Sequence, residues 1–159
     1  MKIRVGFGYD VHQLKDGLPL TIGGVRIAHT KGWVAHSDGD VLIHAICDAL
    51  LGAAALQDIG YHFPDTDPTY RGIDSRELLR HVTSLLLSHG YAISNVDATI
   101  AMQRPKLRPH IDNMRALLAQ DMNISADDVS VKATTTERLG FEGQETGASA
   151  YAVVLIQKQ

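Results

Sequence analysis

Residues 39–56 read GDVLIHAICDALLGAAAL, an alanine-rich and almost continuously apolar run with no helix breaker before Gly52. Asp38 or Asp40 suits the N-cap in front of it. A helix that is apolar on nearly every side cannot lie on a surface and has to be buried. The rest of the chain must therefore cover this segment.

The remaining patterns supply that cover. Residues 2–9 alternate as a strand with Ile3, Val5 and Phe7 on one face. Residues 18–28 read as a hairpin around Gly23-Gly24. A helix is expected from Asp74 or Ser75 to about His89, with Leu78, Leu79, Val82, Leu85 and Leu86 as its apolar stripe and Gly90 as its stop. Residues 91–103 form a strand in which Val96, Ala98, Ile100 and Met102 alternate with polar positions, and Pro105 ends it. A third helix is expected over 108–122, then strands at 128–134 and in the closing ASAYAVVLIQ. Two loops stand out, the Pro-, Gly- and Asp-rich 57–73 and the Gly-rich 135–147. The pattern predicts one domain over residues 1–159 with an α+β fold. It is an α/β sandwich, a four-stranded mixed sheet with helices on one face plus a small β-hairpin.

Composition narrows the function classes. A net charge of −3 gives no electrostatic attraction to nucleic acid or to an anionic membrane, so neither is expected as a partner. No apolar run approaches the roughly 20 residues of a membrane helix, and the N-terminus has no signal-peptide pattern. The single cysteine, Cys47, excludes an intrachain disulfide. A cytoplasmic location is expected, and the Asn123-Ile124-Ser125 sequon is read as chance.

The eight histidines are the compositional oddity. In GYDVHQL, residues 8–14, Asp10 and His12 project to the same side of a strand. His44 sits on the apolar helix, with Asp40 and Asp48 four residues to either side on its face. Two histidines and an aspartate match a zinc site with an open fourth position, and a carboxylate behind His44 would fix its tautomer. The alternative is a core histidine bonded to Asp40 or Asp48. In AHSDGD, residues 35–40, His36 and Ser37 precede a helix N-terminus suited to phosphate, or to a plain cap. In VKATTTERLGF, residues 131–141, the threonines could hold a phosphate or base edge and Glu137 a hard cation, or the run could be a simple strand end. MQRPKLRPH, residues 102–110, is a small cationic loop or a solvated connection. There is no Walker motif, GxGxxG, CxxC pair or GxSxG elbow.

Taken together and in this order, GYDVHQL, AHSDGDVLIHAICDALLGAAALQDIG, FPDTDP and VKATTTERLGF resemble the 2-C-methyl-D-erythritol 2,4-cyclodiphosphate synthase family of the non-mevalonate isoprenoid pathway. The resemblance runs nearly end to end. It implies a phosphorus–oxygen lyase that cyclises 4-diphosphocytidyl-2-C-methyl-D-erythritol 2-phosphate and releases CMP. It implies Zn²⁺ on Asp10, His12 and His44, and a second cation, Mg²⁺ or Mn²⁺, on Glu137, these four being the catalytic set. It assigns His36, Ser37, Asp58, Gly60, Phe63 and Asp65 to the methylerythritol phosphate side. Met102, Pro105, Lys106 and Leu107, with Ala133, Thr134 and Thr135, fall on the cytidine diphosphate side. Asp48 is expected behind His44. The family is a homotrimer with active sites between subunits.

One segment departs from the family pattern, which usually continues Gly-Arg-x-Glu-Gly-Ile after Gly-Phe. Residues 143–148 are Gly-Gln-Glu-Thr-Gly-Ala, so Gln144 and Thr146 replace the arginine and glutamate. The family's arginine lies toward the threefold axis, and an arginine-based anion site there is not expected in this chain. Two other readings share the same residues: a metal-dependent phosphohydrolase, and a non-catalytic oligomer that binds cytidine nucleotides.

Overall fold

The computed structural model describes residues 2–159. Its strands are β1 (Ile3–Asp16), β2 (Leu20–Ile22), β3 (Val25–Ile27), β4 (Lys31–Val34), β5 (Tyr91–Ala101), β6 (Val129–Thr134) and β7 (Gly147–Lys158). Its α-helices are α1 (Val41–Ala53), α2 (Ile59–His62), α3 (Ser75–Ser88), α4 (Ile111–Met122) and α5 (Gly140–Gly143).

Among the described residues the main sheet has five strands in the order β4-β1-β7-β5-β6, and β2-β3 form a separate hairpin. It is mixed, with β5-β6 parallel and the other pairs antiparallel. The expected count of four is thus corrected to five. The extra strand is β4, Lys31-Gly32-Trp33-Val34, too short and too glycine-containing to show an alternating pattern. It pairs with the far half of β1, Gln13 to Asp16, which runs well beyond the residue 9 expected from the apolar alternation.

The buried helix is α1, and ten of its thirteen residues are buried. Full burial of Leu42, Ile43, Ile46, Leu50 and Leu51 contributes about 1.5–3 kcal/mol each. The helix lies directly on β1 because that strand offers it no side chain at two positions. A Cβ on Gly6 would sit 1.9 Å from the Ala49 carbonyl oxygen, and one on Gly8 1.9 Å from that of Ala45. On the same strand face the alternation continues through Asp10, His12 and Leu14. The opposite face carries Ile3, Val5, Phe7, Tyr9 and Val11, which share a side as expected but are exposed rather than core. Tyr151 and Val153 of β7 extend that exposed apolar face.

Asp40 fixes the helix start. Its carboxylate is fully buried and accepts N–H bonds from Gly23 (2.9 Å), Gly24 (2.7 Å) and Ile43 (3.1 Å), joining the β2-β3 turn to the first turn of α1. Burial, with the nearby Asp38, pushes its pKa up to about 6 against the pull of those N–H donors. Helix α3 starts at the expected place and buries Leu78, Leu79, Val82 and Leu86. The third expected helix divides into a 3₁₀ turn, Arg108–His110, followed by α4.

Candidate metal centre and two cavities

Strand parity and helix contact bring three potential ligands to one point. Asp10 and His12 are two residues apart on the helix-facing side of β1, opposite Ala150 and Ala148 of β7. Ala45 packs over Gly8, so its neighbour His44 comes down beside Asp10. Asp10 Oδ2 is 2.9 Å from His12 Nδ1 and 3.2 Å from His44 Nδ1, and one ligand atom from each residue lies within 4.8 Å of the others. Among the described residues this is the group of histidine, cysteine and acidic side chains suited to a metal ion.

The local chemistry fits a divalent cation. His12 Nδ1 is buried and, despite its nearness to Asp10, makes no hydrogen bond. Such an atom lacks a partner unless an ion supplies one. Burial alone would push the Asp10 pKa up, but the close approach of the His12 and His44 rings, then their charges, hold it at about 2. Burial pulls the His44 imidazole down, and the bond to Asp10 and its charge outweigh that, so its pKa is raised. A proton on His44 Nδ1 and a cation would therefore compete for the same space beside Asp10.

The hydrogen-bond partner behind His44 differs from the expected one. Asp48 accepts instead from Ile59 N–H (2.8 Å), and Asp40 is committed to its three backbone donors. His44 Nε2 faces Ser75 Oγ at 2.9 Å and Ser37 Oγ at 3.3 Å. In the sequence Ser75, the first residue of α3, reads only as a polar helix start, and pairwise spacing gives no signal for its approach to a helix residue 31 positions earlier.

A cavity of about 400 Å³ opens beside the three ligands. His36 and Ser37 line it from one side and Gly60, Phe63 and Asp65 from the other. Ile59, Tyr70 and Ile73, which the sequence does not single out, form an apolar wall with Leu78 of the α3 stripe. Asp58 is not on the lining; it caps α2, accepting from Tyr61 N–H at 2.9 Å. The long 57–73 segment is tied back to the preceding motif by Gly72 N–H donating to the His36 carbonyl (2.7 Å). His36 Nε2 lies 3.2 Å from the Asp67 carbonyl oxygen. The phosphate-or-cap choice at α1 resolves partly: Asp40 caps the helix, while His36 and Ser37 still face the cavity.

A second cavity, of about 170 Å³, shares no lining residue with the first. Met102, Pro105, Lys106 and Leu107 line it on one side, and Ala133, Thr134 and Thr135 on the other. Those two stretches meet because β5 and β6 run parallel and end together, Ala101 beside Thr134. Gln103 and Arg108 are additional lining residues. Glu137 lines neither cavity; it is exposed, with φ 53°, next to Arg138 at φ 67°. Arg138 N–H donates to Gln103 Oε1 at 3.2 Å, which anchors this turn to the rim of the second cavity. Gln144 and Thr146, the two departures from the family pattern, lie in the turn between α5 and β7, where the Thr146 hydroxyl donates to the Phe141 carbonyl (3.1 Å). No helix among the described residues is long and apolar enough to cross a membrane.

The YgbB family model matches residues 3–157. A protein of Thioalkalivibrio sulfidiphilus named 2-C-methyl-D-erythritol 2,4-cyclodiphosphate synthase is 64% identical over 155 residues, covering 98% of this chain and 97% of the relative. A Porphyromonas gingivalis protein of the same name is 61% identical over 153 residues, 96% and 94% of the two chains. Among solved structures, the bifunctional IspDF of Campylobacter jejuni superposes with a TM-score of 0.96 at 39% identity, over 99% of this chain and 43% of that one. The Plasmodium falciparum IspF CDP complex gives 0.87 at 34% identity, over 99% and 97%.

Proposed function

The chain belongs to the YgbB family, and on that premise we propose that it is a 2-C-methyl-D-erythritol 2,4-cyclodiphosphate synthase. The reaction is the cyclisation of 4-diphosphocytidyl-2-C-methyl-D-erythritol 2-phosphate. An oxygen of the 2-phosphate attacks the β-phosphorus, a P–O bond forms, the bond to the α-phosphate oxygen breaks, and CMP leaves with its electron pair. The observation that carries this reading is the convergence of Asp10, His12 and His44 on the lining of the larger of these two cavities.

Both reacting groups are anionic and repel each other. A divalent ion on the triad, proposed to be Zn²⁺, would neutralise and polarise the phosphate oxygens. Asp10, His12 and His44 would hold it, leaving a position open. His36 and Ser37, with Gly60, Phe63 and Asp65, would bind and orient the methylerythritol phosphate, while Asp58 and Asp48 brace the α2 segment that forms part of the wall. No protein nucleophile is needed, because holding two groups of one substrate in line can lower a barrier by roughly 7–11 kcal/mol.

The second cavity is proposed for the cytidine diphosphate portion, a reading supported by the solved relative in complex with CDP. Its backbone groups and Thr134 and Thr135 hydroxyls suit a base and its phosphates, and Glu137, exposed in the turn that Arg138 ties to Gln103, would take a second cation, Mg²⁺ or Mn²⁺. Because the two cavities have separate linings on one chain, the complete site is proposed to form between neighbouring subunits of a homotrimer. The exposed face of Ile3, Val5, Phe7, Tyr9 and Val11 supports such an assembly. One domain over residues 1–159 and a cytoplasmic location complete the proposal.

The test is turnover of the diphosphocytidyl substrate by the wild type and by Asp10→Ala, with bound metal measured on both. Cyclic diphosphate plus CMP from the wild type, and loss of metal and turnover in the variant, are expected. Release of inorganic phosphate would favour a hydrolase. Cytidine nucleotide binding without turnover would favour a non-catalytic binder.

A further inference from the structure

We propose that Ser75 is a positioning residue for His44. It holds the proton on Nε2 so that Nδ1 is offered to the ion, and Asp38 enforces this by accepting the serine's own proton. The inference rests on reading Asp10, His12 and His44 as a metal site.

Donors and acceptors around Ser75 match in one arrangement. Ser75 is fully buried at the start of α3, and its hydroxyl has one proton to give. That proton goes to Asp38 Oδ1, to which Ser75 Oγ is hydrogen-bonded. A carboxylate only accepts, and Asp38 is held in place as an acceptor by two further donors. Ser75 N–H reaches Oδ2 at 2.9 Å and Asp40 N–H reaches Oδ1 at 3.0 Å. With its proton committed, Ser75 Oγ can turn only lone pairs toward His44 Nε2, 2.9 Å away. A lone pair meets an N–H, so Nε2 carries the hydrogen. Without an ion, Nδ1 can itself donate to Asp10, 3.2 Å away; with an ion in place of that hydrogen, the neutral ring keeps its Nε2–H and offers the Nδ1 lone pair.

The opposite tautomer would set two lone pairs against each other in a buried place and put a proton where the ion must bind. Ser37 is the competing partner. Its hydroxyl accepts from Gly39 N–H (3.1 Å) and could give its proton to a bare Nε2, but it stands farther off, at 3.3 Å. The chain Asp38, Ser75, His44 thus links the segment before α1, the start of α3 and the first turn of α1 in one orientation. Partners of this kind behind a ligating histidine carry about 10–100-fold in metal affinity.

Two measurements test this. Nitrogen NMR of the zinc-loaded wild type is expected to show His44 protonated at Nε2 with Nδ1 on the metal; an unprotonated Nε2 would overturn the inference without any variant. Zinc affinity by chelator competition is then compared for the wild type, Ser75→Ala and Ser75→Thr, with folding checked by circular dichroism. Ser75→Ala is expected to lose about 10–100-fold in affinity while the KM for substrate at saturating zinc is unchanged, and Ser75→Thr to recover most of it. A folded Ser75→Ala protein with wild-type affinity overturns the inference and leaves the metal reading intact. A wild type that binds no divalent ion overturns both.

Discussion

Gly8→Ala is the perturbation that most directly probes how the fold builds the site. A Cβ at Gly8 would lie 1.9 Å from the Ala45 carbonyl oxygen and 2.7 Å from Ala49 N, both backbone atoms of α1 that no rotamer change can move. Ordinary contact begins at 3.4 Å, so the helix and strand must separate by about 1.5 Å. Overpacking of this kind costs about 1–3 kcal/mol or somewhat more, which for a domain of this size lowers Tm by roughly 2–4 °C per kcal/mol. The larger effect falls on the site. Asp10 is two residues along the strand from Gly8, and His44 precedes Ala45, so the same displacement pulls one ligand from the others. Metal ligands tolerate only about 0.2 Å, and a shift near 1 Å from a remote change can cost about 100-fold in rate. Gly8→Ala is therefore expected to lose measurable zinc binding and at least about 100-fold in turnover, beyond its modest loss in Tm. Calorimetry, chelator competition and product assay on one preparation provide the comparison. A folded Gly8→Ala protein that keeps wild-type zinc affinity would refute the claim that direct strand–helix contact sets the ligand geometry.

Gly52, on the exposed side of α1, is the counterexample, since a side-chain carbon added there would meet nothing within 4 Å. Gly52→Ala is expected to raise stability by up to about 1 kcal/mol in thermal unfolding, through helix propensity, with activity unchanged. Asp40→Asn would retain the shape but turn an amide N–H toward one of three backbone donors, and a loss of about 1–3 kcal/mol is expected in urea unfolding. The metal-free protein should be more stable near pH 5.5 than near pH 8. Asp40, raised to about 6, and His44, raised above its ordinary value, bind protons more tightly folded than unfolded, so their contributions fade as pH rises through those folded values. Asp10, held at about 2, contributes a constant amount across that window and is lost only in strong acid. Zinc should bind more weakly toward pH 5.5, because it must displace the His44 proton, and calorimetry in buffers of different ionisation enthalpy should register proton release.

The parts of this molecule legible in the sequence are those with a short repeat. Period-two parity in β1 put Asp10 and His12 on one side, and the unbroken apolar run of α1 marked His44 as out of place. The run could not say how near the helix approaches the strand. That depends on Gly6 and Gly8, whose meaning is the missing Cβ rather than a pattern. The same alternation placed Ile3, Val5 and Phe7 together but not on which side, since an apolar face looks alike whether a helix or another subunit covers it. Strand β4 escaped because four residues hold too few alternations, and its pairing depends on β1 running on to Asp16. Ser75 escaped for a different reason. Its role arises where the start of one helix meets the first turn of another, and local periodicity carries no information about that crossing. Neighbours in sequence thus paired Asp10 with His12 and the family resemblance added His44, whereas tertiary packing decides which nitrogen of His44 faces them.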